Sequence, residues 1–246
     1  MGRITDTVKA LIIVNVIFYI GSQLLGETAY RLFSLYYFEN PNFQLWQPLT
    51  HMFMHSSHGI MHILFNMFGL YMFGSPLEQM WGRNKFLFFY FSAGLGAALI
   101  HSLVNYYQVG SASEILLNAG MSQADITNLL TTGQYNSGIL NSVSMETIQS
   151  AYDSFNTPAV GASGAIYGIL VAFGMMFPNA ELMLMFFPVP IKAKYFIPLL
   201  LLGDLFFGIS GAGTGVAHFA HLGGALFGFI MSYYWKKNSF DSHRWN

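Results

Sequence analysis

Long runs without a charged residue constrain this chain more than any other feature. No Asp, Glu, Lys or Arg falls between Lys9 and Glu27, between Glu39 and Glu78, between Lys85 and Glu114, or between Asp204 and Lys236. A helix that crosses a hydrocarbon core of roughly 30 Å needs about 20 consecutive, mostly apolar residues, and these runs are long enough to supply them. Of the 246 residues only 9% are charged and 54% are hydrophobic, against a charged share of about 25% in soluble proteins. That is too little polar surface for a soluble enzyme, so lipid is the expected solvent. A net charge of −1 leaves no basic stripe to neutralise phosphates, so no nucleic-acid partner is expected. The chain has no Cys, which excludes disulfides, thiolate zinc sites and a cysteine nucleophile together.

The apolar runs predict six spans, over residues 10–28, 59–79, 86–107, 160–177, 195–209 and 215–235. The first follows Arg3 and Lys9 and reads as a span rather than a cleaved leader, because no small-residue cleavage spacing comes after it. Backbone groups in lipid must be satisfied within the protein, so the expected fold class is an all-α membrane protein, a six-helix bundle. Arg3, Lys9, Arg83, Lys85, Lys192, Lys194, Lys236, Lys237 and Arg244 then fall on one side and only Arg31 on the other. Basic residues collect on the cytoplasmic side, which places both termini there. The whole of 1–246 reads as one membrane domain with two long outer connections, 27–58 and 108–158, the second without Lys or Arg. Within it, apolar spacing at Ile115, Leu116, Ala119, Ile126, Leu129 and Leu130, punctuated by Gly120 and Gly133, predicts one or two short helices on the outer surface. A flexible linker is the alternative.

Polar groups are costly inside spans and usually face the bundle interior. His62 and Asn66 on the second span, Ser163 on the fourth and His221 on the sixth fall at one depth, roughly 5–10 Å below the outer surface by helical rise. His62 and Asn66 are i and i+4 and share a face, as do Ser163 and Tyr167. The pairs Gly164/Gly168 and Gly224/Gly228 allow close helix approach, which would bring Ser163 within hydrogen-bonding reach of His221. Singly, each signal has a plainer meaning: a membrane serine usually bonds its own backbone, GxxxG is mostly packing, and His62 with Asn66 can be an interhelical polar pair. Together they supply an activated nucleophile and two oxyanion donors, the minimum for acyl transfer.

The segments GASGAIYG (161–168), AHLGGALFG (220–228) and HILFN (62–66) resemble the rhomboid intramembrane serine proteases, over nearly the whole chain. The resemblance implies a rhomboid-like six-span bundle in which Ser163 is the nucleophile and His221 the base. It implies an oxyanion hole of His62, Asn66 and the Ser163 amide, with Tyr167 stacked on His221. Gly161 and Gly164 would shape the serine turn, and Gly168, Gly224 and Gly228 the helix packing. The implied substrates are single-pass or other transmembrane proteins in contact with membrane lipid, with no metal or organic cofactor. The implied location is that of a multi-pass integral protein, expected in a bacterial inner membrane. A dyad rather than a triad suits the setting, because a third-member Asp would be an expensive buried charge; Asp204, the acid of the fifth span, is expected to be structural or cytoplasm-facing. Gln47 stands where the family commonly has Arg, so that Arg's loop-stabilising role does not transfer. SSHGIM between His55 and His62 is slightly longer than the family pattern, and 108–158 exceeds the short connection of simple members, so it would cover the site or bind substrate.

Two rival functions are open. His51, His55, His58 and His62 read as HxxxHxxHxxxH, a spacing that can gather imidazoles around a metal ion, although no Cys, Asp or Glu completes the set. An inactive family member that only binds membrane partners is the other, and the retention of Ser163 and His221 argues against it. His218, three residues before His221, is the alternative base; His221 is preferred because it precedes the glycine pair.

Overall fold

A computed structural model describes residues 3–57, 59–184, 187–210 and 216–239. Helix α1 (Asp6–Leu25) starts against an acid far away in sequence. The Thr7 and Val8 amides donate to the Glu78 carboxylate at 3.1 and 3.0 Å, and the Thr5 hydroxyl donates to it as well. The first amides of a helix have no partner within it, and a carboxylate there also meets the positive end of the helix dipole. Glu78 belongs to α5 (Ser75–Trp81), so this cap ties the first helix to the second expected span.

That second span is a composite: α4 (Met61–Gly69), one wide π-type turn over Leu70–Gly74, then α5. Pro76 has no N–H to return to the preceding turn and crowds its carbonyls, and a widened turn is the usual way a helix absorbs such a break. Two short helices, α2 (Glu27–Phe33) and α3 (Gln47–Thr50), lie in the preceding connection. Helix α6 (Arg83–Asn118) runs 36 residues, about 54 Å at 1.5 Å per residue, well past the expected span end at Tyr107. Among the described residues three helices are long and apolar enough to cross a membrane: α1, α6 and α10 (Ala193–Ser210). Their outer faces carry large apolar side chains that water would not tolerate in such number, with Leu24 82% and Ile209 72% exposed.

Helix α9 (Ser163–Met176) has 14 residues, shorter than the expected 160–177. At about 21 Å it falls short of a full crossing. The reason is burial: Gly164, Ile166, Ile169 and Ala172 are among its many buried residues, enclosed with Phe86, Phe89 and Tyr90 of α6 in the main core. Backbone ends enclosed by protein can find partners that lipid lacks. Helix α11 (His218–Ser239) packs along both α6 and α9; residue 215, where the sixth span was expected to begin, lies outside the described residues. The connection from α9 to α10 holds an unexpected feature, an antiparallel hairpin of β1 (Glu181–Leu184) and β2 (Phe187–Lys192), with Glu181 opposite Lys192 and Leu182 opposite Ile191.

The connection 108–158 is largely helical. The end of α6 is joined by α7 (Gln123–Thr132) and α8 (Met145–Asn156) around a second core, with Leu116, Ile126, Leu129, Ile148, Ala151 and Phe155 all buried. Ser122 and Asp125 close a reciprocal capping box at the start of α7, which satisfies two otherwise free amides. Tyr37 of the connection between α1 and α4 joins this core, and the Asn40 side-chain amide donates to the Phe155 carbonyl at 2.8 Å. That connection and this module therefore hold one another. Leu129 is 1% exposed, so Leu129→Ala is expected to cost about 2–5 kcal/mol within the module. Limited proteolysis should then cut 119–156 faster while the rest of the bundle stays protected.

Candidate active site

The close approach of α9 and α11 comes first, because everything else hangs on it. A Cβ built on Gly224 would lie 1.8 Å from the Gly164 carbonyl oxygen, and one on Gly228 would lie 2.5 Å from the Gly168 Cα. Only glycine permits this backbone contact. Gly164 itself faces Ala97 of α6, where an added Cβ would meet the Ala97 Cβ at 2.5 Å. With the two backbones this near, the His221 Nε2 reaches the Ser163 Oγ at 2.9 Å. The Tyr167 ring, one turn after Ser163, lies flat on the His221 imidazole, centroids 4.1 Å apart and planes 14° apart, which fixes the plane of the imidazole.

Ser163 opens α9, and the turn before it requires an unusual backbone. Gly161 has φ 131°, a conformation side chains with a Cβ rarely adopt, and its amide donates to the His51 carbonyl at 2.9 Å. A Cβ there would lie 3.1 Å from the His62 Nε2 and 3.3 Å from the Ser163 Oγ, so both groups crowd one side of the Gly161 Cα. His62 Nδ1 accepts from the Ser56 amide at 3.2 Å. A neutral imidazole that accepts at Nδ1 carries its proton on Nε2, leaving a donor on the Ser163 side. Asn66 is buried, and its amide donates to the His62 carbonyl at 2.8 Å, so its second amide hydrogen is the one left to give. The free amides at the start of α9 add the positive end of a helix dipole at the same place.

Asp204 corrects the sequence reading. Expected to be structural or cytoplasm-facing, it is buried at 5% exposure, and its Oδ1 lies 3.1 Å from the His221 Nδ1. The same Oδ1 lies 2.5 Å from the His218 Nδ1. His218 therefore contacts the acid rather than the serine, and the side chains run in order from Asp204 through His221 to Ser163. Among the described residues Asp204, His218 and His221 are the set of three whose potential ligand atoms converge. The sequence signal for Asp204 was present, a lone acid within an apolar helix, and counted from the end of its expected span at residue 209 it falls at about the depth of the other polar groups.

His51 and His55 sit in the connection before α4. His51 Nδ1 pairs with the Gln47 carbonyl at 3.0 Å and His55 Nδ1 with the Phe53 carbonyl at 3.3 Å. The Tyr30 hydroxyl donates to the His55 carbonyl at 2.6 Å, and the His55 ring meets the His62 ring edge-on at 5.2 Å. Burial pulls His51 and His55 each down to about 4, so both are neutral at pH 7. One nitrogen of each ring pairs with a loop carbonyl, the His55 Nε2 is buried without a hydrogen-bond partner, and His58 of the expected metal run lies outside the described residues. Gln47 is a second correction: it is fully buried, its amide donates to the Arg31 and Asn42 carbonyls at 3.0 and 2.8 Å, and its Oε1 accepts from the Tyr36 amide at 3.2 Å. A neutral side chain thus stabilises the loop where the family commonly has Arg.

The model of the rhomboid domain matches residues 42–132 and 127–238. Rhomboid protein 1, mitochondrial, of Saccharomyces cerevisiae is 35% identical over 83 residues, 32% of this chain and 23% of the yeast protein. An uncharacterized mitochondrial rhomboid protein of Schizosaccharomyces pombe is 34% identical over 93 residues, 35% of this chain and 24% of that protein. The matched region thus spans about a quarter of the length of these curated relatives.

Proposed function

Because the chain belongs to the rhomboid family, we propose that it is an intramembrane serine endopeptidase that cleaves transmembrane segments of membrane proteins near the outer membrane face. The observation that carries this reading is the 2.9 Å contact between the His221 Nε2 and the Ser163 Oγ. A serine with a base at that distance and a ring held by stacking is a nucleophile prepared for attack. In this reading Ser163 Oγ attacks a peptide carbonyl of an unwound substrate segment while His221 Nε2 takes the hydroxyl proton. The C–N bond then breaks as His221 returns that proton to the leaving amine, and water releases the acyl group by the same route. The oxyanion is held by the His62 Nε2–H, the Asn66 amide and the Ser163 amide. The family resemblance adds a preference for a small residue before the scissile bond, and the scheme uses no cofactor.

The topology proposed with it has six spans and both termini in the cytoplasm, supported by the distribution of Lys and Arg. The protein is integral to a membrane; the bacterial inner membrane expected from sequence draws no support from the relatives, which are mitochondrial by name. A fluorophosphonate probe tests the reading directly. It is expected to label the purified protein in liposomes but not Ser163→Ala, with labelling indifferent to chelators. Cleavage of a single-span reporter that persists in Ser163→Ala would overturn the proposal. Absence of both labelling and cleavage in the folded wild type would favour an inactive membrane-protein binder.

A further inference from the structure

We infer that Asp204 is a positioning residue for His221, giving this protein a three-membered relay in place of a Ser–His pair; the inference rests on the protease reading above. Two observations carry it. Asp204 Oδ1 stands 3.1 Å from the His221 Nδ1, while the opposite ring nitrogen stands 2.9 Å from Ser163. To accept the serine proton, Nε2 must be bare, so the neutral ring must carry its hydrogen on Nδ1, and an acceptor at Nδ1 holds that tautomer. When Nε2 takes the serine proton, the ring becomes a cation and the buried carboxylate beside it offsets that charge.

His218 explains how an acid is tolerated here. A buried carboxylate needs compensating donors, and His218 Nδ1 at 2.5 Å supplies the second one to the same Oδ1. The Phe207 ring stacks on His218, centroids 5.7 Å apart and planes 25° apart, so His218 is itself braced from α10. Both separations from Oδ1 are hydrogen-bond lengths to a single oxygen, the arrangement of one acceptor serving two imidazole donors. His218 therefore fixes Asp204, and Asp204 fixes His221.

The test compares Asp204→Asn, Asp204→Ala and Asp204→Glu in the full chain in liposomes. Labelling of Ser163 by a fluorophosphonate reads serine activation apart from substrate docking, and reporter kinetics separate kcat from KM. Loss of the aspartate of a soluble serine protease triad costs ~10⁴ in kcat; with Tyr167 still holding the ring, a loss of ~10²-fold or more is expected for Asp204→Asn. KM should stay within about twofold, and Asp204→Glu should recover part of the labelling rate. Nitrogen NMR of labelled His221 should show the Nδ1–H tautomer in the wild type and a mixture in Asp204→Asn. Labelling and kcat within about threefold of wild type in both Asp204→Asn and Asp204→Ala, with Ser163→Ala and His221→Ala inactive, would overturn the Asp204 role and leave the protease reading standing. A loss that only tracks the unfolded fraction, with the tautomer unchanged, would overturn it too. Activity retained in Ser163→Ala would instead defeat the protease reading itself.

Discussion

Ser163→Ala and His221→Ala are each expected to lower the cleavage of a single-span reporter in proteoliposomes by ~10⁴-fold or more, and the double variant by no more than either single one. The non-additivity is the informative part. Ser163 and His221 share one hydrogen bond of 2.9 Å, so removal of either partner removes the same step, the transfer of the hydroxyl proton as the nucleophile attacks. Neither change should unfold the protein. Ser163 is only partly buried at the start of α9, and the α9–α11 contact is made by the glycines, which stay in place. In His221→Ala the Tyr167 ring loses its stacking partner, worth about 0.5–1.5 kcal/mol beyond area, and the buried Asp204 loses one of its two imidazole partners, so thermal stability should fall measurably while the fold is kept. Initial rates, with folding followed by size exclusion and thermal scans in detergent, check both halves. Two singles whose losses multiply in the double variant would mean that the serine and the histidine act in separate steps.

The sequence made the serine, the histidines and the glycines legible because each is out of place: polar residues in apolar runs, and glycines at helical spacing where bulkier residues would be expected. The relation of Ser163 to His221 followed from the glycine pairs, since backbone contact between two helices leaves few ways to orient the side chains at their ends. Asp204 was not legible in the same way. Nothing in its own helix fixes its rotation, and α10 meets the site through the His218 and His221 side chains rather than through a small-residue seam. The length of α9 was missed for a related reason: hydropathy marks where a helix is able to cross lipid, whereas α9 is enclosed by α6 and α11 and stops where protein rather than lipid surrounds it. In the 108–158 module the spacing from Ile115 to Leu130 marked one or two helices, where the end of α6 and α7 lie, but α8 passed unnoticed. Its signals were Ser144 as a cap and the row Ile148, Ala151 and Phe155 on one face, set in a polar helix with little overall apolar character. Gln47 departs from the family pattern and still ties its loop together, through three hydrogen bonds of its side-chain amide.

Gly224→Val is expected to abolish both the folded bundle and activity, whereas Gly21→Ala should change neither by more than about 1 kcal/mol. The contrast isolates backbone proximity from the general cost of replacing a helical glycine. At Gly21 an added Cβ meets nothing within 4 Å, so the change there only adds helix propensity; at Gly224 it would meet the Gly164 carbonyl oxygen at 1.8 Å and its carbonyl carbon at 2.6 Å. Those are main-chain atoms of a buried helix, and they cannot rotate away as a side-chain tip would. Relief requires α9 and α11 to separate, which exposes the Gly168 and Gly228 contact below and costs about 3 kcal/mol or more, the upper range for overpacking. Separation also draws His221 away from Ser163, because Ser163 directly precedes Gly164 and His221 lies three residues before Gly224. Gly224→Ala is the graded case: its single methyl should lower thermal stability measurably, and fluorophosphonate labelling of Ser163 should fall in the fraction that stays folded. A Gly224→Ala protein with wild-type stability and labelling would mean that the two backbones do not approach in the membrane as they do here, and the basis for bringing serine and histidine together would be lost with that contact.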